Sequence, residues 1–186
     1  PMGGIAGSWA GEGHRGEIER AVATMLERYG SKVVSAKLPL ALEKDKQPET
    51  VLKFPGKIIY VPDFHGQPAL MISDSGHHRI VVLAEDGRII TSIGSGQPGL
   101  KDGDFAQAQF RSPQGLAYKN HVLYVADTEN HTLRKVDFAA QRVTTVAGTG
   151  QQGQLYRFSD APALRTALSS PWDVAFYPDD NHVAIA

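Results

Sequence analysis

Residues 112–150 read SPQGLAYKNHVLYVADTENHTLRKVDFAAQRVTTVAGTG, and this stretch decides the fold class. Its apolar residues fall in short runs separated by polar or glycine-containing turns, and helical spacing is absent. Strand, turn, strand, turn, strand, turn and strand in this order form one antiparallel sheet of four strands. A sheet of this kind is the blade of a β-propeller.

The same unit recurs along the chain. Pro55, Pro113 and Pro171 are 58 residues apart, and each stands just before a short apolar strand. A fixed period of this kind is the sequence signature of propellers and other repeat proteins. We therefore predict a mainly β fold, a partial propeller of two four-stranded blades and the start of a third, preceded by a helical N-terminal segment. The predicted blades occupy residues 52–96, 110–150 and, incomplete, 168–186.

The motifs of the second blade resemble NHL repeats. They are Ser-Pro-x-Gly-Leu-Ala at 112–117, Leu-Tyr-Val-Ala-Asp-Thr-x-Asn-His at 123–131 and Val-Ala-Gly-Thr-Gly at 146–150. The segment FPGKI at 54–58, with a helix before a linker, is further similar to the NHLRC2-like proteins. In that group a thioredoxin-like domain precedes an NHL propeller. The resemblance implies that residues 1–30 are the last strand and helix of the thioredoxin-like domain.

The N-terminal part of the chain contains one predicted amphipathic helix, over residues 16–29. Its apolar stripe consists of Ile18, Val22, Met25, Leu26 and Tyr29. Gly30 is placed to end the helix. Residues 31–51 become charged and contain Pro48, which predicts a linker before the propeller fragment at 52–186. We expect the stripe to dock on a domain that is mostly absent from this chain; the alternative is packing against the side of the propeller.

Composition excludes several kinds of site. The formal net charge is −1, so no global positive field attracts nucleic acid or an anionic membrane. The chain has no cysteine, which excludes disulfides and thiolate metal sites within these residues. No apolar run is long enough to predict a membrane span. We predict no cofactor, no nucleic-acid partner and no membrane partner.

Two repeated motifs imitate functional sites. The segments 94–99 and 148–153 match the dinucleotide pattern G-x-G-x-x-G, but no long helix is predicted after either of them. Their glycines are interpreted as residues that leave a fourth strand with positive φ. The Asp-x-x-x-His turns at 74–78 and 127–131 resemble acid–base or metal pairs. Because they recur in both blades, we interpret each Asp as an acceptor for backbone N–H groups of the turn that it opens.

Four residues are the candidates for an interaction surface: Arg111, Gln114, Trp172 and Asp173. They flank the starts of inner strands, where propellers commonly place loops at the central channel. Arginine and tryptophan are over-represented among the residues that dominate binding energy. For Trp172 the alternative is packing between neighbouring blades. No residue is assigned to catalysis, to a cofactor or to a metal.

The predicted function is a non-enzymatic scaffold. We expect a protein or peptide partner, together with the propeller blades that this chain lacks. The alternative is a metal-dependent propeller hydrolase or lyase with its site at the central channel and its ligands drawn from several blades. RNA binding would require a basic face, and the near-neutral net charge counts against one.

Overall fold

The computed structural model describes residues 7–10, 13–32, 50–153, 161–178 and 182–186. The chain divides into two compact units, Pro1–Pro48 and Glu49–Ala186. Across the described ranges, no helix combines the length and the apolar character that crossing a bilayer requires.

The first unit contains one α-helix, α1, which spans Arg15–Tyr29 and confirms the helix predicted at 16–29. Glu17 lies in its first turn and Arg28 in its last, which suits the helix dipole. None of the residues of α1 is buried, and most of its apolar stripe is exposed: Ile18, Val22, Met25 and Leu26.

The end of α1 differs from the prediction for Gly30. This glycine keeps a right-handed conformation, because its N–H still bonds to the carbonyl of Leu26, and a 3-10 turn continues through Gly30–Lys32. The linker predicted at 31–51 lies almost entirely outside the described residues. The assignment of residues 1–30 to a thioredoxin-like domain therefore stays a prediction.

The second unit begins with a four-stranded antiparallel sheet, blade 1, whose strands are neighbours in sequence order. They are β1 (Pro55–Phe64), β2 (Gln67–Asp74), β3 (Arg79–Ala84) and β4 (Ile89–Ile93). The predicted succession of four strands is confirmed. β1 is the inner strand, and its start at Pro55 pairs with the end of β2 at Asp74.

Blade 2 repeats this arrangement and adds one short strand. Its strands are β5 (Gly103–Asp104), β6 (Pro113–Lys119), β7 (Val122–Asp127), β8 (Thr132–Asp137) and β9 (Arg142–Ala147). The strand order is β5-β9-β8-β7-β6, so β5 lies at the outer edge. The segment between the blades crosses from β4, the last strand of blade 1, to β6, the inner strand of blade 2. On the way it also pairs Gly103 with Val143.

The third sheet is a two-stranded start of a blade. It consists of β10 (Val174–Phe176) and β11 (Val183–Ile185), paired antiparallel. A short 3-10 helix, Ala163–Arg165, precedes it.

The core lies between the sheets, because alternate residues of each strand point to opposite faces. In β7, Leu123 and Val125 face blade 1, whereas Tyr124 contacts the side of β10. The buried residues between blades 1 and 2 include Val61, Phe64, Met71, Ile80, Val82, Ile93, Phe110, Leu116, Val136, Phe138 and Val143. Those between blade 2 and the third sheet are Ala117, Leu133, Ala147 and Val174. Packing of sheet on sheet therefore holds the second unit together.

The first two glycines of each G-x-G-x-x-G segment have the predicted backbone role, whereas the third ones, Gly99 and Gly153, do not have positive φ. Gly94, Gly96, Gly148 and Gly150 all have positive φ, in the region that favours glycine. The fourth strands end at Ile93 and Ala147, immediately before the first glycine of each segment. These segments therefore turn the chain out of the blade.

Candidate interaction surface at the channel mouth

The aspartate that ends the second strand of each blade fixes the start of the inner strand of the same blade. Asp74 and Asp127 are completely buried. Asp74 Oδ1 accepts a hydrogen bond of 2.7 Å from the backbone N–H of Lys53, two residues before Pro55. Asp127 Oδ1 accepts one of 2.7 Å from Arg111, two residues before Pro113. The inner strands of both blades therefore begin with the same hydrogen bond from a backbone N–H to the buried Asp of the blade. We call this hydrogen bond the tie.

The histidine of each turn binds the next blade. His78 Nδ1 accepts the backbone N–H of Ser112 at 3.1 Å, and His131 Nδ1 accepts that of Ser170 at 3.0 Å. A hydroxyl group adds a second bond, since Thr128 Oγ1 donates to the Pro171 carbonyl at 2.7 Å. Ser75 Oγ donates in the same way to the Pro113 carbonyl. We call this set of contacts to the next blade the latch.

The sequence analysis was correct that each Asp of these turns accepts a hydrogen bond from a backbone N–H group. It was wrong about which residue donates that bond. Neither Asp74 nor Asp127 caps the short 3-10 turn that it opens. Each carboxylate reaches back instead to the residue before its own inner strand, because the paired strands bring that backbone N–H within hydrogen-bond distance. The motif holds the scaffold together within and between blades.

The latch is expected to make blade contacts sensitive to pH. Burial lowers the pKa of His131 below its ordinary value of 6.5, while the nearby Glu129 carboxylate acts in the opposite direction. His131 must be neutral at Nδ1 to accept the Ser170 N–H, so its stabilisation is present above the unfolded-state pKa. That stabilisation is lost as the pH falls through the lower folded-state pKa.

His131→Asn is the matched variant for this prediction, because the amide oxygen can accept the same bond, does not titrate and tolerates the left-handed φ of 52°. The wild type should lose more stability than His131→Asn when the pH is lowered from about 7.5 to about 5, across the ordinary histidine range. Thermal denaturation of the longer protein at both pH values measures this difference. Equal losses in the two proteins would contradict it.

A buried arginine in blade 2 was missed by sequence reasoning. Arg134 is completely buried and donates to Asp127 Oδ2 at 2.8 Å and to Asp102 Oδ1 at 2.9 Å. It also binds the carbonyls of Gln109 and Lys101, so one guanidinium holds the connecting segment to the blade. The one available signal was a charged residue at an inward-facing position of the β8 alternation.

Asp102 links this network to the fourth strand of the blade, β9. Its carboxylate accepts the N–H and the hydroxyl of Thr145 as well as the Arg134 guanidinium. Burial raises the pKa of Asp102, but the bonds from Thr145 and Arg134 outweigh burial, so the pKa lies below its ordinary value. Asp102 is therefore a structural residue of blade 2.

Five residues at or just before the starts of the three inner strands are together called the mouth face: Lys57, Arg111, Gln114, Trp172 and Asp173. A Cβ on Gly56 would collide with Gln114 Oε1, so the side chain of Gln114 lies against blade 1. A Cβ on Gly115 would be 2.5 Å from the Asp173 Cα, so blade 2 and the third sheet approach closely there. These glycines let neighbouring inner strands come together.

An ion pair crosses the mouth face from blade 1 to the third sheet. Lys57 Nζ lies 2.6 Å and 2.7 Å from the two carboxylate oxygens of Asp173. Burial raises the pKa of Asp173, but the Lys57 ammonium and the Val174 N–H outweigh it, so the pKa lies below its ordinary value. Because Gly115 has no side chain, the pair passes over blade 2 without obstruction.

The four predicted surface residues have different environments. Trp172 is 61% exposed, so most of its indole is not covered by the described blades. Arg111 is exposed and Gln114 is half-buried. Asp173 is held by Lys57. The structure thus brings Gln114 and Asp173 together with Lys57, a residue that sequence reasoning did not select.

An apolar groove of about 600 Å³ runs along the inner strands from Lys57. Its walls come from β1, β6 and β10, and the apolar residues among them are Ile59, Tyr60, Val61, Leu116, Tyr118, Val174 and Phe176. Within the part of the chain that the structure describes, no three His, Asp or Glu side chains form a group that could hold a metal ion. The groove is therefore lined mainly by apolar side chains, with the Lys57–Asp173 ion pair at one end.

The family follows from the repeated blades together with a sequence match. A family model described as the NHL repeat matches residues 110–136, the segment that contains the Asp127 tie and the His131 latch. This chain contains an NHL repeat, in blade 2. The propeller fragment and the NHL resemblance proposed from the sequence are confirmed.

Longer curated proteins are similar to nearly the whole of this chain or to all of it. The NHL repeat-containing protein 2 of Bos taurus is 43% identical over 178 residues, which are 95% of this chain and 24% of that protein. Protein SUPPRESSOR OF QUENCHING 1, chloroplastic, of Arabidopsis thaliana is 46% identical over 194 residues, 100% of this chain and 18% of its own length. The chain thus spans a quarter or less of the length of these curated relatives.

Solved structures share the propeller architecture of these NHL repeats. A Bacteroides thetaiotaomicron protein of unknown function is 26% identical with a TM-score of 0.54, over 63% of this chain and 29% of that one. An auxiliary nutrient binding protein of Bacteroides ovatus is 24% identical with a TM-score of 0.52, over 69% of this chain and 33% of that one. These likenesses establish the fold alone.

Proposed function

We propose that this chain is part of a non-enzymatic NHL propeller that binds a protein or peptide partner at the mouth face. In the longer protein, residues 1–30 would complete a thioredoxin-like domain that precedes the propeller. The missing blades would complete the ring and share the binding surface. The proposal separates two sets of polar residues, those used by the fold and those left for a partner.

The observation that carries the proposal is this separation. The repeated Asp and His side chains, which look most like catalytic groups, are engaged in ties within and between blades. Trp172, by contrast, is 61% exposed at the start of an inner strand, beside an ion pair that is itself open to solvent. Exposed tryptophan next to polar groups is typical of the anchors of protein interfaces.

Site-specific photo-crosslinking tests this proposal. A photoreactive phenylalanine analogue replaces Trp172 in the longer protein, and Leu164 is the matched control because its exposure, 57%, is close to the 61% of Trp172. We expect a discrete crosslinked protein from cells with the probe at Trp172 and far less with the probe at Leu164. Equal crosslinking at both positions, or none at Trp172, would overturn the proposal.

A further inference from the structure

The side chains of the mouth face carry hydrogen-bond donors that the fold does not use. Among the described residues, no group bonds the guanidinium of Arg111, the amide of Gln114 or the indole N–H of Trp172. The backbone N–H of Arg111 is bound to Asp127, which fixes the main chain and leaves the side chain exposed. Since Arg111 and Gln114 are three residues apart, their Cα atoms are at most about 11 Å apart.

The carboxylate of the mouth face is, in contrast, already paired. Asp173 is its one carboxylate, and it accepts bonds from the Lys57 ammonium and from the backbone N–H of Val174. Glu129 touches Arg111 through the backbone alone, where its N–H donates to the Arg111 carbonyl, and its carboxylate forms no ion pair with the guanidinium. The surface therefore offers donors and one uncompensated positive charge.

We infer that the partner presents an extended acidic peptide segment to the mouth face, with one carboxylate bound by Arg111. Guanidinium and carboxylate match in a two-pronged geometry, which makes such pairs both strong and directional. The Gln114 amide and the Trp172 indole N–H then donate to peptide carbonyls, and the indole ring packs on an apolar residue of the segment. This inference rests on the proposed function and adds the chemistry of the partner to it.

The number of charges favours a peptide over a nucleic acid. Nucleic-acid binding draws its affinity from several Lys or Arg side chains that neutralise successive phosphates. Here the ammonium of Lys57 is compensated by Asp173, and Arg111 is the one uncompensated cation among the five residues of the mouth face. The single unpaired guanidinium of Arg111 matches a single carboxylate of a peptide.

Two degenerate peptide libraries test the inference on the longer, folded protein. They are identical except for one fixed central residue, Glu in the first and Gln in the second, and a labelled single-stranded RNA serves as a third probe. We expect the Glu library to be retained roughly ten-fold better than the Gln library, the effect of one charged hydrogen-bond pair.

Three variants assign the preference to its residues. Arg111→Gln should abolish the difference between the libraries, and Arg111→Lys should keep part of it, because the charge remains but the two-pronged geometry is lost. Trp172→Ala should weaken the retention of both libraries alike. Unchanged thermal denaturation of the variants shows that the blades remain folded.

The outcomes also separate this inference from the proposed function. Equal retention of the two libraries, retention of neither, or a Glu preference that survives Arg111→Gln would overturn the acidic segment. RNA retention that depends on Arg111 would do the same. Crosslinks at Trp172 combined with any of these results would still support the interaction surface, but they would contradict an acidic peptide segment as its partner.

Discussion

Replacement of Asp127 by alanine is expected to destabilise blade 2 by about 3–5 kcal/mol, the range measured when one partner of a buried ion pair is removed. Asp127 and Arg134 are both completely buried, and their atoms lie 2.8 Å apart. Without the carboxylate, the guanidinium keeps only the partly exposed Asp102 as a counter-charge, and the backbone N–H of Arg111 and the amide of Asn130 lose their acceptor as well.

Hydrogen exchange of the β7 and β8 amides in the longer protein measures this loss as a fall in the free energy of local opening. Asp86→Ala is the control, because Asp86 accepts a bond from the Arg88 backbone within a turn but its side chain is 68% exposed. The control should change stability by less than about 1 kcal/mol. Similar losses in both variants would show that the buried network does not hold blade 2.

Gly148→Ala is expected to produce the second large loss of stability. Gly148 has φ of 92°, and a Cβ there would meet the His131 carbonyl and lie 2.8 Å from the Thr132 Cα. Both atoms belong to the backbone and cannot rotate away. The left-handed conformation costs roughly 1–2 kcal/mol with a side chain, and the overpacking adds about 1–3 kcal/mol.

Gly87→Ala isolates the steric part of this effect. Gly87 has a similar φ of 84°, but no atom lies within 4 Å of its Cβ position. Urea titration with pulse proteolysis of the longer protein compares the two variants. Gly148→Ala should exceed Gly87→Ala by about 1–3 kcal/mol, and an equal loss in the two would mean that the chain can relax around a side chain at Gly148.

The blades could be predicted from the sequence because strand periodicity, turns and repeat length are local properties. Pro55, Pro113 and Pro171 mark the repeat, and β1 and β6 begin at the first two of these prolines. Strand β5 could not be predicted, since a two-residue strand has no alternation to detect. It exists because the outer edge of β9 offers unpaired backbone groups to the passing chain.

The polar partners could not be predicted because they depend on which side chain reaches the buried Asp in space. In blade 1 the arginine that binds Asp74 is Arg79, five residues later; in blade 2 the arginine that binds Asp127 is Arg134, seven residues later. The two guanidinium groups are thus equivalent in space but not in repeat position. Comparison of the repeats by position therefore misses them.

The contacts of the mouth face could not be predicted for the same reason, because they join residues that are far apart in the sequence. Arg111, Gln114, Trp172 and Asp173 could be selected because they flank inner strands, but nothing in the sequence joins Lys57 to Asp173. Their contact depends on the close approach of the sheets at Gly115, where a side chain would collide with the neighbouring backbone. Only the assembled blades bring these residues together.

The most direct test of the division between scaffold and binding surface is to measure partner capture and thermal denaturation on the same variants of the longer protein. Arg111→Ala combined with Trp172→Ala should abolish the capture of the protein crosslinked at Trp172 and leave the denaturation temperature unchanged. Asp127→Ala should lower that temperature. If the double variant still captures the partner, or loses it only together with a lowered denaturation temperature, the mouth face is not the binding surface.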